Sequence, residues 1–544
     1  MEDIAREAES AASSQRMGQI YQVTKQLSGK KAKINMPIKD KNNNMLTTER
    51  DQCLRWKEHF QEVLNRKDPD NLAIIPEAPF DLEIDTDPPS KQEIQKAIKS
   101  LKNKKAPGTD QLNAELFKID PMQAAETLHP VFQKIWKQAV IPNKAVDKKL
   151  RQEQAGFRKG RGCIDHIFVL RNILEQCHEW QRKLLVNFVD YEKAFDSLHR
   201  ESLWEILRNY GIPSKIVQLI TQFYTNLSCT INSEADTSFH VKSGVRQGCV
   251  ISSVLFIIAI DWVMRTTLAE SNTGLRWTLC TMLEGTDYAD DLALLSHTAD
   301  YMQEKTKKLE ETAKMIGLKI NAKKTKLMYL NIERQPVIFI EGKQVETVDS
   351  FNYLGSCITT EGGTERDIKI RIGKARSAFI RLGNIWKTAA FSKKTKLRLY
   401  NSCVLSVLLY GSECWRMTDK DINRLSSTCL RKIVKIFWPN KISNKDLHEI
   451  TSTNDMETLL IQKRWRWLGH VIRKPSNDMT KVALRWTSEG KRKRGRPKTT
   501  WRRTIENELK ERGYTWGTVE RKANNREKWR KLVLALCAIR HSKD

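Results

Sequence analysis

The sequence lacks three features that are typical of secreted or membrane proteins. Its 11 cysteines are scattered singly and form no CxxC pair, so they predict neither a disulfide framework nor a common zinc finger. The polar N-terminal stretch lacks the apolar core of a signal peptide. The longest apolar run, from Cys249 to Ile260, is too short to span a bilayer and predicts a buried helix. We therefore expect an intracellular protein of a reducing compartment, in the nucleus and cytoplasm, with no membrane partner.

The sequence also contains fewer acidic than basic residues. The 544 residues contain 65 Asp and Glu against 94 Lys and Arg, which gives a formal net charge of +29. An excess of this size favours a polyanionic partner, most often nucleic acid, and a basic protein without such a partner is the alternative. The length predicts about two to four domains, enough for an enzyme.

Short apolar segments and amphipathic helices alternate through the centre of the chain. A short apolar strand ends at Asp190 and a helix follows it, and a β-hairpin is predicted around Asp290 and Asp291 about a hundred residues later. The full order is strand, two helices, hairpin, helix, hairpin, helix. This order predicts an α+β fold in which helices back an antiparallel sheet.

The adjacent aspartates Asp290 and Asp291 directly precede an apolar run, Leu292 to Leu295. An ionised carboxylate at the edge of a core is costly unless a turn, a partner charge or a metal compensates it. In an antiparallel sheet the tip of this hairpin can lie beside Asp190. Three converging carboxylates would suit two Mg²⁺ ions about 4 Å apart. The alternative is an ordinary turn, because Asp is common in turns.

The motifs around these aspartates resemble those of reverse transcriptases from non-LTR retrotransposons. The likeness runs in family order from about residue 45 to the end of the chain, and the tail is similar to that of RTE-like endonuclease-reverse transcriptase polyproteins. The matching stretches are KKAPGTDQLNAELFK, QAGFRKGRGCIDHIF, FVDYEKAFDSLHR, GVRQGCVISSVLF, YADD, GLKINAKKTKLM and SFNYLGS.

The resemblance implies an RNA-directed DNA polymerase with an α+β right-hand fold of fingers, palm and thumb. The palm would hold the antiparallel sheet, and a helical basic C-terminal region would follow the thumb. The expected partners are an RNA template, a DNA primer or target, and dNTP. The implied regions are a helical basic connector (1–95), shortened fingers (96–182), the palm (183–358), a thumb-like helical region (359–440) and a basic, Trp-rich nucleic-acid-binding region (441–544).

Two departures from the family pattern leave an alternative open. Between Pro142 and Gln152 the chain lacks the long segment whose arginine normally contacts the triphosphate of the incoming nucleotide. The N-terminal endonuclease usual in such elements is not seen either. The alternative is therefore a catalytically inactive remnant that binds nucleic acid without copying it.

The resemblance also assigns roles to individual residues. Asp190, Asp290 and Asp291 would bind two Mg²⁺ ions, with Mn²⁺ as a substitute. Phe195 would be the bulky gate that excludes a 2′-hydroxyl, although it also suits the core. The other implied nucleotide-binding residues are Gln247, Gly248, Arg158 and Lys324. The implied primer grip consists of Phe351, Tyr353, Leu354 and Gly355.

The C-terminal region interleaves tryptophans with basic residues. Arg494 to Pro497 resembles the core of an AT-hook, and the alternative is a nuclear-import signal or a general phosphate-binding patch. The predicted nucleic-acid-binding residues here are Arg494, Arg496, Lys498, Arg502 and Arg503. Four tryptophans suit either stacking on unpaired bases or packing in a small helical core, and the core is favoured for the second of them. They are Trp465, Trp467, Trp486 and Trp501.

Overall fold

The computed structural model describes residues 38–84, 87–101, 103, 112–136, 147–231, 237–269, 271–389, 391–416, 422, 428–436, 442–492, 494–495 and 498–538. Three features named above lie outside these residues. They are residues 104–111 of the KKAPGTDQLNAELFK stretch, the stretch 142–146 next to the predicted deletion, and Arg496 of the AT-hook-like motif.

The strands are short and concentrate in the middle of the chain. They are β1 (Ile38–Lys39), β2 (Met45–Leu46), β3 (Leu184–Val189), β4 (Ser228–Cys229), β5 (Phe239–His240), β6 (Leu275–Arg276), β7 (Met282–Leu283), β8 (Gly285–Tyr288), β9 (Asp291–Ser296), β10 (Lys326–Leu330), β11 (Phe339–Ile340), β12 (Lys343–Gln344), β13 (Glu346–Thr347), β14 (Ser350–Tyr353) and β15 (Ser356–Thr359).

Helices precede, separate and follow these strands. Up to the last strand they are α1 (Glu49–Leu64), α2 (Lys91–Ser100), α3 (Ala114–Ile119), α4 (Pro121–Trp136), α5 (Cys163–Glu179), α6 (Ala194–Ser197), α7 (Arg200–Asn209), α8 (Ser214–Tyr224), α9 (Val250–Leu268) and α10 (Ala299–Met315). The later α-helices are α11 (Glu365–Arg381), α12 (Gly383–Lys387), α13 (Lys393–Leu399), α14 (Ser406–Leu408), α15 (Thr428–Ile433), α16 (Asn444–Thr451), α17 (Met456–Ile472), α18 (Met479–Ala483), α19 (Trp501–Glu511), α20 (Trp516–Asn524) and α21 (Arg526–Ala538).

Five strands form the central sheet, in the order β13, β10, β3, β9, β8. β3 pairs antiparallel with β9 and β10, and β8 pairs antiparallel with β9, whereas β13 joins β10 in parallel. All six residues of β3 are buried, as expected for a strand that is covered on both faces. The sheet is therefore antiparallel as predicted, except for the two-residue β13 at its edge.

Successive residues of each central strand face two different cores, because side chains alternate along a strand. On one side, helices α7 to α10 pack against Leu185, Val189, Leu292, Leu294 and Leu327. On the other side, α5 and the C-terminal helices α17 to α21 pack against Leu184, Val186, Phe188, Ala293, Leu295 and Met328. The sheet is thus the middle layer of three.

The C-terminal region is part of this packing and not a separate basic tail. Trp465, Trp467, Trp486 and Trp501 all have 9% or less of their surface exposed. Phe168 of α5 packs against both Trp467 and Trp501, with 4.7 Å between ring centroids in each pair. Their burial excludes the stacking alternative and confirms the core favoured for Trp467. Their rings cover the second face of the sheet, so the helical-core alternative is confirmed.

A third core lies in the region predicted to be thumb-like. Its buried residues run from Ile368 to Leu460 and join helices α11 to α16 with the start of α17. Nearer the N-terminus, the segment 76–84, which contains Pro76 and Pro79, lies against the sheet domain, since the amide of Leu82 donates to the carbonyl of Gly211 at 2.6 Å. A small cluster of Ile94, Ile98 and Ala125 joins α2 and α4.

One helix in the described part of the chain, α9, is long and apolar enough to cross a membrane by length and composition. Most of it is buried inside the protein, as the apolar run predicted. The helix continues past Asp261, whose carboxylate is fully buried and paired. Tyr210 donates its hydroxyl to Asp261 at 2.6 Å, and the backbone amide of Arg151 donates to it at 2.9 Å.

Burial of His166 on α5 predicts a loss of stability in acid. Its ring packs edge-on against Tyr288 with 5.8 Å between centroids, and burial, reinforced by nearby cations, lowers its pKa from 6.5 to about 3. Between these values the unfolded chain binds a proton that the folded chain does not, so stability falls as pH falls. From pH 7 to pH 5 we expect a loss of roughly 2 kcal/mol from this residue.

The test is urea unfolding of the wild type and His166→Phe at both pH values. The variant should lose roughly 2 kcal/mol less on acidification, because no proton is taken up at this position on unfolding. His240→Phe, on an exposed strand residue, is the control and should follow the wild type. Equal pH dependence of the wild type and His166→Phe would contradict the assignment.

Candidate functional site

The site is built on the turn between β8 and β9. Tyr288 pairs with Asp291 at the end of the hairpin, so Ala289 and Asp290 form a two-residue loop. Ala289 has a φ of +57°, a left-handed conformation of the kind that tight hairpin turns require. Val189 at the end of β3 pairs with Leu292, and Asp190 follows Val189. The prediction that the hairpin tip lies beside Asp190 is therefore confirmed.

The three carboxylates repel one another. Partial burial, with Asp190 as a neighbouring charge, raises the pKa of Asp290. Partial burial, followed by the charges of Asp290 and Asp190, raises the pKa of Asp291 to about 6. One cation stands close: Lys324 Nζ lies 3.4 Å from Asp190 Oδ2. This contact lacks hydrogen-bond geometry, and the buried Oδ2 has no hydrogen-bond partner.

These observations fit a divalent cation. Carboxylate oxygens are the ligands that Mg²⁺ prefers, and a cation would relieve both the repulsion and the unpaired Oδ2 of Asp190. Within the described ranges, however, no three acidic, His or Cys side chains already stand together as a metal-binding group. The backbone therefore brings the three aspartates to one end of the sheet. In the described residues their side chains do not yet converge on a single point as metal ligands would.

Phe195, Gln247 and Gly248 lie on the elements that follow β3 and precede α9. Phe195 is half-buried and stacks on Phe256, with 4.0 Å between centroids and 18° between ring planes. The amide of Gln247 donates to both carboxylate oxygens of Asp196, at 3.0 and 3.2 Å. Gly248 has a φ of +91° and open space around it. Asp196 was not singled out from the sequence, although it directly follows Phe195.

Comparisons with known proteins match part of the chain to reverse transcriptases. Residues 125–358 match the family described as reverse transcriptase (RNA-dependent DNA polymerase). The Pol polyprotein of the type-2 retrotransposable element R2DM of Drosophila melanogaster is 27% identical over 290 residues, which cover 49% of this chain and 26% of that protein. The RNA-directed DNA polymerase from mobile element jockey of Drosophila funebris is 22% identical over 430 residues, which cover 66% of this chain and 46% of that protein. Residues 125–358 therefore form a reverse transcriptase domain, and the two relatives belong to a retrotransposable element and a mobile element.

The chain spans less than half the length of either relative. Outside the reverse transcriptase domain, residues 378–410 match a family described as a domain of unknown function. Among solved structures, a telomerase from Candida tropicalis, determined with a fragment of telomeric RNA, superposes with a TM-score of 0.33 and 14% identity. That match covers 70% of this chain and 60% of the telomerase.

Arg158 is buried and hydrogen-bonded to residues of its own segment. It is 8% exposed, and its guanidinium donates to the Asp147 side chain at 2.7 Å and to the carbonyls of Arg151 and Gln154 at 2.6 and 2.9 Å. Its donors therefore hold its own loop together. The predicted nucleotide contact is not what the structure shows for this residue.

The predicted primer grip is a hairpin whose aromatic side chains point inward. Leu354 and Gly355 have φ values of +47° and +79° and form the two-residue turn between β14 and β15. Tyr353 is 2% exposed, with its hydroxyl 3.2 Å from that of Thr286 on β8. Phe351 stacks on Phe188 of β3 with 4.2 Å between centroids. Direct contact of Tyr353 with nucleic acid is therefore excluded by its burial, and the exposed Gly355 is left at the tip.

The basic C-terminal residues divide into exposed and internally bonded ones. Arg494 is exposed, and Lys498 is exposed with its Nζ 3.0 Å from His178 Nε2. Arg502 donates to the carbonyls of Leu484 and Trp486, and Arg503 pairs with Glu179 at the end of α5. Both arginines thus have internal partners, and their predicted nucleic-acid role stays a prediction.

A buried ion cluster behind the turn was not predicted. Arg151 pairs with Asp287 of β8 and, at 3.1 Å, with Asp261 of α9. Asp287 precedes Asp290 by three residues. Both aspartates are fully buried. The signal in the sequence was Asp261 within the apolar helix α9, and it does not indicate that Arg151 and Asp287 are its neighbours.

Proposed function

We propose that this chain is an RNA-directed DNA polymerase that extends a DNA 3′ end by two-metal nucleotidyl transfer. The observation that carries the proposal is the placement of Asp290 and Asp291 at a hairpin tip beside Asp190, whose buried Oδ2 lacks a hydrogen-bond partner. These three side chains would hold two Mg²⁺ ions, and Mn²⁺ would substitute. When bound, such ions activate the attacking hydroxyl and stabilise the leaving oxygen of the triphosphate.

The surrounding side chains suit the binding of a nucleotide. Lys324 is 68% exposed at its side chain and stands beside Asp190, so it can turn toward a triphosphate. Gln247, fixed by Asp196, and Gly248, with open space around it, lie on the loop before α9 and would line the nucleotide pocket. Phe195 would lie under the sugar. An RNA template, a DNA primer or target, and dNTP are the proposed partners, in keeping with the net charge of +29.

The test is extension of a DNA primer annealed to an RNA template by the full chain, with dNTP and Mg²⁺. We expect extension that stops when EDTA removes the metal. Filter binding of the same primed template is measured in parallel. Binding without extension would contradict the proposal and identify a nucleic-acid-binding remnant, and neither binding nor extension would contradict both.

Phe195 provides a test of sugar selection. Its ring is held by Phe256 on one side and lies 6.3 Å, edge-on, from the partly exposed ring of Phe157. Phe195→Val should open space for a 2′-hydroxyl and raise the use of rNTP relative to dNTP by about 10- to 100-fold, as expected when a small steric difference decides specificity. The measurement is kcat/KM for each nucleotide.

Phe223→Val removes an aromatic ring that is half exposed on α8 and serves as the control. It should leave the ratio of rNTP to dNTP use unchanged. If Phe195→Val also leaves that ratio unchanged while the protein remains folded, Phe195 is a core residue and not the gate.

A further inference from the structure

Gln154 is fully buried against the turn that carries Asp290. Its side-chain oxygen accepts two backbone hydrogen bonds, from the amide of Ala289 at 3.0 Å and from the amide of Gly156 at 2.7 Å. Ala289 is the left-handed residue of the β8–β9 turn, and its amide has no partner inside the two-residue loop. One side chain therefore joins the loop 153–157 to the turn on which the proposed metal ligands stand.

The backbone of the same loop reinforces this connection. β8 is an edge strand of the central sheet. The amide of Ala155 donates to the carbonyl of Asp287 at 3.0 Å, and the amide of Asp287 donates to the carbonyl of Glu153 at 3.3 Å. The loop thus adds a short parallel bridge to the open edge of β8 and fixes the position of Gln154 relative to the turn.

Gly156 brings the loop into direct contact with the turn. A Cβ atom at this position would lie 2.4 Å from the amide nitrogen of Ala289, which is far inside van der Waals contact. Any larger residue would therefore push the turn away from the loop. Sequence reasoning used the QAGF stretch only as part of a family motif and gave neither Gln154 nor Gly156 a role.

The orientation of the Gln154 amide is set by its partners. Two N–H groups point at one atom, so that atom is the oxygen, and the buried Nε2 is left without a hydrogen bond. An unpaired buried N–H is unfavourable, so packing alone would favour an apolar side chain of this size. An apolar side chain, however, could not accept the two backbone hydrogen bonds that the amide oxygen accepts.

We infer that Gln154 is a positioning residue for the proposed polymerase: it holds the Ala289-Asp290 turn in the conformation that presents Asp290 and Asp291 to the metals. Gln154 acts on the turn through its hydrogen bond from the amide of Ala289. The inference rests on the proposed function for its catalytic consequence, whereas its structural part, the held turn, stands independently.

The variants are Gln154→Met, which keeps the shape and loses the acceptor, and Gln154→Glu, which keeps the acceptor. Gln176→Met makes the same chemical change at a buried position on α5 and is the control. The first measurement is hydrogen exchange of the amides in 285–291. Gln154→Met should speed exchange at Ala289 by about tenfold or more, because one protecting hydrogen bond is lost, and Gln154→Glu should restore protection.

The second measurement is primer extension at varied dNTP. Gln154→Met should lower kcat by about tenfold and leave the KM for dNTP and the binding of primed template unchanged, because only the metal-binding turn is displaced. Wild-type exchange at Ala289 in Gln154→Met overturns the inference whether or not the chain extends primers. Faster exchange with unchanged kcat overturns its catalytic part.

If the wild type does not extend primers, the proposed function is refuted. The exchange result then still shows whether Gln154 holds the Ala289-Asp290 turn. If Gln154→Met does not fold, Gly156→Ala takes its place, because its Cβ displaces the turn and leaves the amide of Gln154 intact. Gly156→Ala should lower kcat in the same way. Wild-type kcat in that variant, with the protein folded, overturns the catalytic part of the inference.

Discussion

Asp290→Asn is expected to abolish primer extension, with a loss of roughly 10³-fold or more, while leaving the protein folded. The substitution keeps the size of the side chain and removes a charge that a bound metal needs. Electrostatic groups at the reacting centre are commonly worth this much in rate. The measurement is the rate of single-nucleotide addition to a DNA primer on an RNA template.

Stability should change in the opposite direction to activity. The charged form of Asp290 is disfavoured in the folded protein, since burial and the charge of Asp190 raise its pKa. A neutral amide removes that repulsion, so the unfolding temperature of Asp290→Asn should equal or exceed that of the wild type in metal-free buffer. A substitution that lowers activity and raises stability identifies a side chain that serves catalysis at a cost in stability.

Asp300→Asn provides the control for this experiment. Asp300 lies in the exposed first turn of α10, and its neutralisation changes the net charge by the same amount. Both its extension rate and its unfolding temperature should stay close to those of the wild type. Extension by Asp290→Asn at the wild-type rate would remove Asp290 from the proposed site and, with it, the two-metal mechanism.

The sequence was informative where local patterns decide the structure. A short apolar strand that ends at Asp190, and an apolar strand that begins at Asp291, could be placed from hydrophobic alternation and turn chemistry alone. The antiparallel sheet followed from their order. Their pairing through Val189 and Leu292 then put the acidic residues side by side. The strands and the turn rest on local contacts, and only the pairing of β3 with β9 joins distant parts of the chain.

Features that depend on distant contacts were missed or misread. Arg158 and Arg502 are basic residues in loops or near the surface of helices, and the sequence gives no sign that carbonyls from their surroundings satisfy their donors. Trp501 and the other interleaved tryptophans resemble a stacking surface for the same reason. A residue's burial depends on which element comes to lie over it, and that information is spread over hundreds of residues.

The same argument leads to the second large effect. A chain that ends at residue 440 should not fold, because it loses the layer that covers one face of the sheet. Helix α5 would lose the rings of Trp467 and Trp501 from Phe168. Removing one buried tryptophan costs roughly 3–5 kcal/mol. Four such losses approach or exceed the roughly 5–15 kcal/mol that stabilise a whole domain.

Buried charges increase the expected loss. Lys474 Nζ lies 2.8 Å from Asp165 of α5, and the backbone amide of Trp501 donates to Glu175 at 2.9 Å. Both carboxyl groups would remain in the truncated chain without these partners, on a largely apolar face that the deletion uncovers. We therefore expect the truncated chain to be insoluble, or soluble without a cooperative unfolding transition. Solubility, circular dichroism and limited proteolysis are the measurements.

Two single variants separate packing from charge in this region. Trp501→Ala should lower the free energy of unfolding in urea by roughly 3–5 kcal/mol, because its ring is 2% exposed and its Nε1 donates to the carbonyl of Glu413. Arg494→Ala removes an exposed charge and should change that free energy by less than about 0.5 kcal/mol. A truncated chain that unfolds cooperatively at the wild-type temperature would show that residues 441–544 form a separate unit. Partial extension activity of the truncated chain would also show that residues 441–544 form a separate unit, because the proposed metal ligands all precede the deleted region.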